Sequence, residues 1–434
     1  MKKSANDTSP SAHTDSYYAA SALPCPEFPT LNQDAEADVC IIGGGYTGLS
    51  SALHLAKKGL NAVVLEAEKV GWGASGRNGG HVGTGQRVSQ SALEKKHGLE
   101  TARQLWGLGL EAVDLVRQLI ADYDINCDLK EGILHVAAKK SHVEYLKQET
   151  EVLRSVYGYE KISFIDKGEL DHMVGAGGKY FAAQLDQSSL HLHPLKYAHG
   201  LAAAAKEAGA RIFENSKVLG YEKGSTLTVR TARGNVKAKT IILACNGYLK
   251  KLAPEIAGCI MPINNFVLAT EPLSEQLARE LIRDDVAVQD SLFVINYWKL
   301  SADNRLVFGG GENYTSKFPN DIKSFVRKYM LRVYPQLEST AIDYAWGGTL
   351  AITLNRMPSF GTLDSNIYHA HGYSGHGIPT ATLAGKILAD AIAGDAAKFN
   401  LIADLPSPRF PGGTLFRWPG LVAGMLFYSL MDKL

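Results

Sequence analysis

The stretch Asp38–Glu66, DVCIIGGGYTGLSSALHLAKKGLNAVVLE, constrains the fold more than any other part of the chain. It reads as strand, glycine turn, helix, strand and terminal acid. Val39, Cys40, Ile41 and Ile42 form an apolar run bounded by glycine, the pattern of a parallel strand covered on both faces. Gly43 permits the tight turn, Gly45 lets the backbone approach a pyrophosphate, and Gly48 allows a helix to pack closely on the sheet. Tyr46 and Thr47 open that helix, whose free N–H groups and positive dipole end aim at the same point. Val63–Leu65 is the second strand, followed by Glu66 and Ala67, with Glu66 placed to accept hydrogen bonds from a ribose. A glycine turn alone is a weak signal. Strand, helix, second strand and acid at the required spacing point together to a bound dinucleotide.

The fingerprint does not separate NAD from FAD, but the next segment does. Gly71-Trp72-Gly73-Ala74-Ser75-Gly76-Arg77-Asn78-Gly79-Gly80-His81 is too rich in glycine to be a packed helix or strand. Such a loop offers backbone N–H groups to phosphates and ring heteroatoms at close range. A second glycine block, Gly372-Tyr373-Ser374-Gly375-His376-Gly377, opens the last long helix. With these two blocks the chain resembles the FAD-dependent amine oxidases of the D-amino-acid-oxidase superfamily, and within them is similar to the γ-glutamylputrescine oxidases. The resemblance covers nearly the whole chain, from Ser16-Tyr17-Tyr18 to Pro411-Gly412-Gly413 and the following tail.

The resemblance implies an α/β fold with a discontinuous Rossmann-like FAD-binding domain and an inserted α+β substrate domain. Residues 1–35 form an N-terminal arm, read as disordered or loosely docked. Residues 36–121, 182–255 and 346–402 belong to the FAD-binding domain, 122–181 and 256–345 to the substrate domain, and 403–434 to a tail. The hydrophobic patterns predict helices over 93–120, 141–157, 195–208, 321–334 and 380–393. They predict strands over 211–213, 226–230, 236–238, 240–247, 263–270, 292–299, 305–310 and 366–372.

The resemblance also assigns cofactor contacts. Gly73, Ala74 and Ser75 approach the phosphates, with Ser75 either a pyrophosphate ligand or a helix cap. Arg77, Asn78, Gly79 and Gly80 reach the flavin, Arg77 either touching it or pinning the loop. A backbone group near Val218 meets the adenine, and Gly247 ends a strand beside the dinucleotide. Gly372, Ser374, Gly375, His376 and Gly377 place a helix N-terminus at the pyrimidine edge, where it would stabilise negative charge on the reduced ring. His376 either shapes the pocket or satisfies the turn. The covalently linked sarcosine-oxidase branch carries a cysteine before its last sheet strands, whereas Trp346-Gly347-Gly348-Thr349-Leu350 has none. Non-covalent FAD is the expectation.

Substrate residues are less clearly marked. His81 adjoins the flavin loop and either influences amine protonation or is structural. Tyr297 and Trp298 are neighbours in a strand and so face opposite sides. One of them can wall a pocket for a cationic polyamine chain, and the other packs. Arg356 holds a substrate carboxylate, the flavin O2 edge, or a salt bridge within its own loop.

The expected activity is oxidation of the primary amine of γ-glutamylputrescine or a related glutamylated polyamine, with O2 as acceptor. Its rivals are a dehydrogenase using a quinone or carrier, and a flavin-binding electron-relay or assembly subunit. A net charge of +1 gives no sign of a nucleic-acid partner. Five cysteines without a CxxC pair suggest neither a metal site nor a disulfide framework and fit a reducing, cytoplasmic setting. The N-terminus lacks the apolar core of a secretory signal. The apolar run after Trp418 is shorter than the ~20 residues that span a bilayer. It is read as a packed helix, with peripheral membrane contact or self-association as the alternatives.

Overall fold

The computed structural model describes residues 12–414, apart from 23, 25, 250 and 314–316, together with 419. Two sheets organise them. The first is eight-stranded. At its centre Ala35–Ile42 pairs in parallel with Ala62–Leu65 on one side and Asn235–Leu243 on the other. Arg211–Phe213 and Ile367–His371 extend it outward, both parallel. Val39 and Ile41 enter one buried cluster while Cys40 and Ile42 enter another. That two-sided burial is why the strand is an unbroken apolar run.

Helices Tyr46–Lys57 and Gly377–Ile392 meet on one face of this sheet through small residues. A Cβ on Gly385 would stand 2.5 Å from Ser50 Cβ and 2.6 Å from the Thr47 carbonyl, and Ser50 Oγ donates to the Thr382 carbonyl at 2.6 Å.

The second sheet is nine-stranded and mixed. Its strands run in the order Ile342–Ile352, Met261–Thr270, Leu306–Asn313, Tyr297–Leu300, Ala287–Asp290, Lys130–Val136, Ala183–His191 and His81–Val82, with Ile162–Ile165 beside Ala183–His191. Alternation divides its two faces. Leu134, Val136, Val288, Trp298, Phe266, Leu268 and Phe308 pack against Val326, Met330 and Val333 of the helix Ile322–Val333. Ile133, His135, Gln184, Asp186, Gln289, Tyr297, Ile263 and Asn265 face the other way, into a cavity.

Several expectations change. The helix over 93–120 is two helices, Gln90–His97 and Leu99–Asp122, because Gly98 adopts a φ of 80° between them. The strand expected from 292 begins at Tyr297. Asp290 Oδ1 accepts from the backbone N–H groups of Leu292 at 3.2 Å and Asn296 at 3.0 Å, which closes 290–296 into a turn. The strands expected over 236–238 and 240–247 are one, Asn235–Leu243. Residues 183–191 and 346–352, grouped by sequence with the dinucleotide unit, lie in the second sheet.

Part of the N-terminal arm is firmly docked. Tyr18 is buried edge-on to Trp346 and His193, with centroids 5.0 and 4.8 Å away, and Tyr17 Oη donates to Asp303 at 2.7 Å. The membrane or self-association reading of the tail falls on residues outside those described. Among the described residues, no helix is long and apolar enough to cross a membrane.

Candidate active site

A cavity of about 1320 Å³ lies between the two sheets. That exceeds the ~300–1,000 Å³ usual for one small ligand, leaving room for a dinucleotide and a substrate together.

One end is built by the fingerprint. Gly43, Gly45, Tyr46, Thr47, Glu66 and Ala67 all line it. Gly43 takes a φ of 115°, which only glycine adopts readily. Gly48 does not reach the cavity; its Cβ would stand 1.9 Å from the Gly43 carbonyl oxygen, so its absence lets helix and strand touch. Glu66 accepts from the N–H of Gly44 at 2.6 Å and of Glu68 at 2.9 Å. Burial nevertheless lifts its pKa to about 7, more than these two donors offset.

Ribose hydroxyls donating to Glu66 would favour the carboxylate, so binding should release a proton. FAD affinity is therefore expected to rise as pH climbs toward about 7, by up to about tenfold per pH unit, and to level off above it. In Glu66→Gln the slope should vanish and affinity at neutral pH fall about tenfold, since the phosphate contacts remain. Titration of the apoprotein with FAD across this range reads both. A slope that persists in Glu66→Gln assigns the proton elsewhere.

The loop after the second strand forms one tight turn at Ala74–Gly76. Ser75 Oγ accepts from the Tyr46 N–H at 3.1 Å, so it sits over the N-terminus of the fingerprint helix, which has no side-chain cap of its own. Arg77 is buried. Its Nε donates to the Trp72 carbonyl at 2.7 Å, its Nη1 to the Gly347 carbonyl at 3.2 Å, and its guanidinium lies 4.0 Å over the Trp72 ring. Its Nη2 is buried with no hydrogen-bond partner. Arg77 thus pins the loop and still holds out one donor.

Asn78 Nδ2 bridges the carbonyls of Ala74 and Ser75, each at 3.0 Å, and its Oδ1 accepts from the Gly80 N–H at 2.8 Å. Gly73, Ala74 and Gly79 line the cavity. Gly80 packs behind it, where a Cβ would meet the Leu192 carbonyl oxygen at 2.1 Å.

Val218 lines the cavity beside Lys217, Leu219 and Tyr221. Gly247 and Gly372 are packing residues rather than lining ones. A Cβ on Gly247 would reach the Leu350 carbonyl oxygen at 3.1 Å, and one on Gly372 would reach Thr353 Cγ2 at 2.5 Å. Asn246, overlooked in the sequence, does line the cavity; it takes a φ of 42°, and its Oδ1 accepts from the Gly372 N–H at 3.0 Å.

Ser374, Gly375, His376 and Gly377 also line it, with Ser374 and Gly375 at positive φ. The helix begins at Gly377, three residues before the expected 380, and has no side-chain cap. His376 stands against Gly83, its Nε2 buried without a partner, and burial lowers its pKa to about 4.

The remaining candidates separate cleanly. Tyr297 lines the cavity; Trp298 does not, being buried on the opposite face with Nε1 donating to Tyr334 Oη at 2.9 Å. Trp298 is therefore a core residue and is removed from the substrate site. Both ring nitrogens of His81 face backbone carbonyls, of Gly79 and Val288, each at 3.2 Å, and its ring meets Tyr297 edge-on. Burial lowers its pKa to about 4. Neither nitrogen is directed at a ligand, so His81 supports Tyr297 and the Gly79 turn. Arg356 lines the cavity from a turn, at a φ of 63°, with its guanidinium 6.0 Å from the Phe293 ring.

The sequence reading missed Asn265, Gln289, His135, Gln184, Arg87 and Glu149, all of which line the cavity. Period-2 alternation was the only signal carried by those on strands.

The donor set suits FAD: a glycine turn under a helix N-terminus whose own N-cap residue, Gly45, has no side chain, a buried acid at a strand end, and an unpartnered guanidinium N–H farther along. The FAD dependent oxidoreductase family matches residues 38–391. The chain is 44% identical over 423 residues to gamma-glutamylputrescine oxidoreductase of Escherichia coli, covering 97% of this chain and 99% of that protein. It is 39% identical to a probable oxidoreductase of Haemophilus influenzae, over 97% of this chain and 98% of the other. Glycine oxidase from Geobacillus kaustophilus superposes with a TM-score of 0.71 at 20% identity, over 83% of this chain and 95% of that one. Fold, site and sequence agree that this chain belongs to the family of FAD dependent oxidoreductases and is an enzyme of that class.

Proposed function

We propose that the enzyme oxidises the primary amine of γ-glutamylputrescine with O2 to an imine and hydrogen peroxide, that water hydrolyses the imine to aldehyde and ammonia, and that FAD is held non-covalently in a cytoplasmic protein. The observation that carries this reading is the 44% identity to the Escherichia coli gamma-glutamylputrescine oxidoreductase along almost the full length of both chains. Bound FAD would supply the redox chemistry, taking a hydride from the carbon beside the amine and passing the electrons to O2.

The chain's own residues bind and orient. Gly43, Gly45, Thr47, Glu66 and Ser75 hold the adenosine diphosphate part, and Val218 the adenine. Arg77, Asn78, Gly79 and the 374–377 turn hold the ring. Tyr297, with Oη donating to Asn265 Oδ1, walls the substrate side.

The histidines on that side, His81, His135 and His376, have pKa values lowered to about 4 by burial, so near neutrality they carry no charge. The same desolvation favours the neutral form of an entering amine, the form that can be oxidised. Of the described cysteines, Cys245 lines the cavity, but at the end with Glu66, whose charge acts on it.

Anaerobic stopped-flow mixing with γ-glutamylputrescine, putrescine, sarcosine and glycine tests the proposal. Rapid loss of yellow colour with the glutamylated amine alone, then recovery and peroxide on adding O2, is the expected result. Bleaching only by another amine overturns the substrate. Bleaching without recovery overturns the oxidase and indicates a different electron acceptor.

A further inference from the structure

The part of the cavity beyond Tyr297 ends in a pair of opposite charges. Across the sheet floor the lining side chains from Asn265 through Tyr297, Gln289 and His135 to Gln184 are uncharged near neutrality. Tyr297–Leu300 and Ala183–His191 are separated by three strand spacings, about 14 Å at ~4.8 Å each.

Three side chains at the far edge are ionisable to full charge: Asp186, Glu149 and Arg87. Asp186 is committed to the fold, accepting from Tyr159 Oη, Thr84 Oγ1 and Ser189 Oγ at 2.5 Å each and from the Ser188 N–H at 3.0 Å. Glu149 points inward from the helix Ser141–Ser155 with Leu146 and Leu153, is 7% exposed, and is held in place by hydrogen bonds from Ser91 and from the backbone at Gln90 and Ser91, at the start of the helix Gln90–His97. Its burial raises its pKa, a penalty that a bound ammonium would offset. Arg87 lies at the exposed mouth, in the segment joining His81–Val82 to the helix Gln90–His97, and its charge reaches His135, His376 and Tyr145.

We propose that Arg87 and Glu149 form a subsite for an α-amino-acid head on the substrate, Arg87 taking the α-carboxylate and Glu149 the α-ammonium. The assignment rests on the γ-glutamylputrescine reading and explains how that substrate is told from putrescine. Nine bonds separate the primary amine of γ-glutamylputrescine from its α-carbon, about 11 Å when extended at ~3.5 Å per three bonds. With its amine beside Gly79 and Tyr297, the head arrives one side-chain length short of the far strand, on the side of the cavity lined by Glu149 of the helix Ser141–Ser155 and Arg87 of the connecting segment. Putrescine alone spans about half that distance.

Among the described residues, the remaining charged groups of the lining lie elsewhere. Glu66, Glu68 and Glu255, with Lys217, Lys223 and Lys251, line the adenosine end. Arg356 follows the strand Ile342–Ile352 at the opposite edge of the sheet, where no acid among the described residues lines the cavity.

The test uses FAD-loaded enzyme and four amines sharing the putrescine end. γ-Glutamylputrescine carries both head charges, glutarylputrescine only the carboxylate, 4-aminobutyrylputrescine only the ammonium, and N-acetylputrescine neither. In the wild type, each missing charge should raise KM at least about tenfold, as expected for a charge-assisted hydrogen bond. Arg87→Gln should raise KM for the first two amines and leave that for 4-aminobutyrylputrescine unchanged. Glu149→Gln should do the converse, with losses in KM rather than kcat.

A merely structural role would raise KM for all four amines together. The wild-type series stands even if a variant fails to fold. Equal KM values for γ-glutamyl- and N-acetylputrescine in the wild type overturn the subsite while leaving the amine oxidase reading intact. No bleaching by γ-glutamylputrescine overturns both.

Discussion

Replacing Gly45 by valine is expected to give a folded protein that purifies without yellow colour, its FAD affinity lowered at least about 100-fold, or about 2.7 kcal/mol. Gly45 precedes the fingerprint helix at φ −90° and ψ −173°, a conformation open to any residue, so the substitution brings no backbone strain. An added Cβ would stand 2.8 Å from Ser75 Oγ, the far end of a small side chain, and would have no backbone atom within 4 Å. The branched carbons of valine would then occupy the space over the first turn of the helix, where a phosphate would meet the backbone N–H groups. They would also push away Ser75, the acceptor for the Tyr46 N–H.

The contrast with Gly48 separates binding from folding. There a Cβ would lie 1.9 Å from a backbone oxygen, and a side chain would part helix from strand. Flavin released by denaturation, measured beside a thermal melt of the apoprotein, reads the two effects independently. Normal flavin content in Gly45→Val would move the pyrophosphate away from this turn.

The dinucleotide half was legible because its residues act locally. Gly43 needs a positive φ, Gly48 a close approach and Glu66 a strand end, and all three follow one another along a single strand–helix–strand unit. The substrate half was not, because pairing assembles it. Asn265, Gln289, His135 and Gln184 come from four strands far apart in the chain and reach one floor only through registers such as His135↔Gln184 and Gln289↔His135.

Along the chain each is an ordinary polar residue in an alternating strand. Alternation placed Tyr297 and Trp298 on opposite faces but could not say which face was the core. Gly98 was hidden for another reason: a glycine inside a helical pattern is usually tolerated, and only its φ of 80° shows that it ends one helix and starts the next. Arg87 and Glu149 lie outside any motif, on a connecting segment and a helix that meet only in the folded chain.

Gly309 gives the sharpest probe of the substrate side. It is the register partner of Tyr297, and a Cβ there would lie 2.1 Å from the Tyr297 ring. The phenol lies flat across this glycine, while a Cβ on Gly79 would meet the same ring at 2.4 Å from the loop side. The ring is thus held between two residues without side chains, with His81 against it edge-on, centroids 5.6 Å apart, and its hydroxyl on Asn265.

In Gly309→Val the ring must leave this slot. FAD content should change little, because Gly45, Glu66 and Ser75 are untouched. The value of kcat/KM should fall at least about 100-fold, or about 2.7 kcal/mol of transition-state stabilisation. The double variant Gly309→Val/Tyr297→Ala decides whether the ring is the cause. With the phenol already displaced, removing it should cost less than about threefold more, far below the product of the two single losses. A Gly309→Val enzyme with wild-type kcat/KM shows that Tyr297 does not wall the reacting amine. Additive losses in the double variant show that valine acts through the strand rather than through the ring.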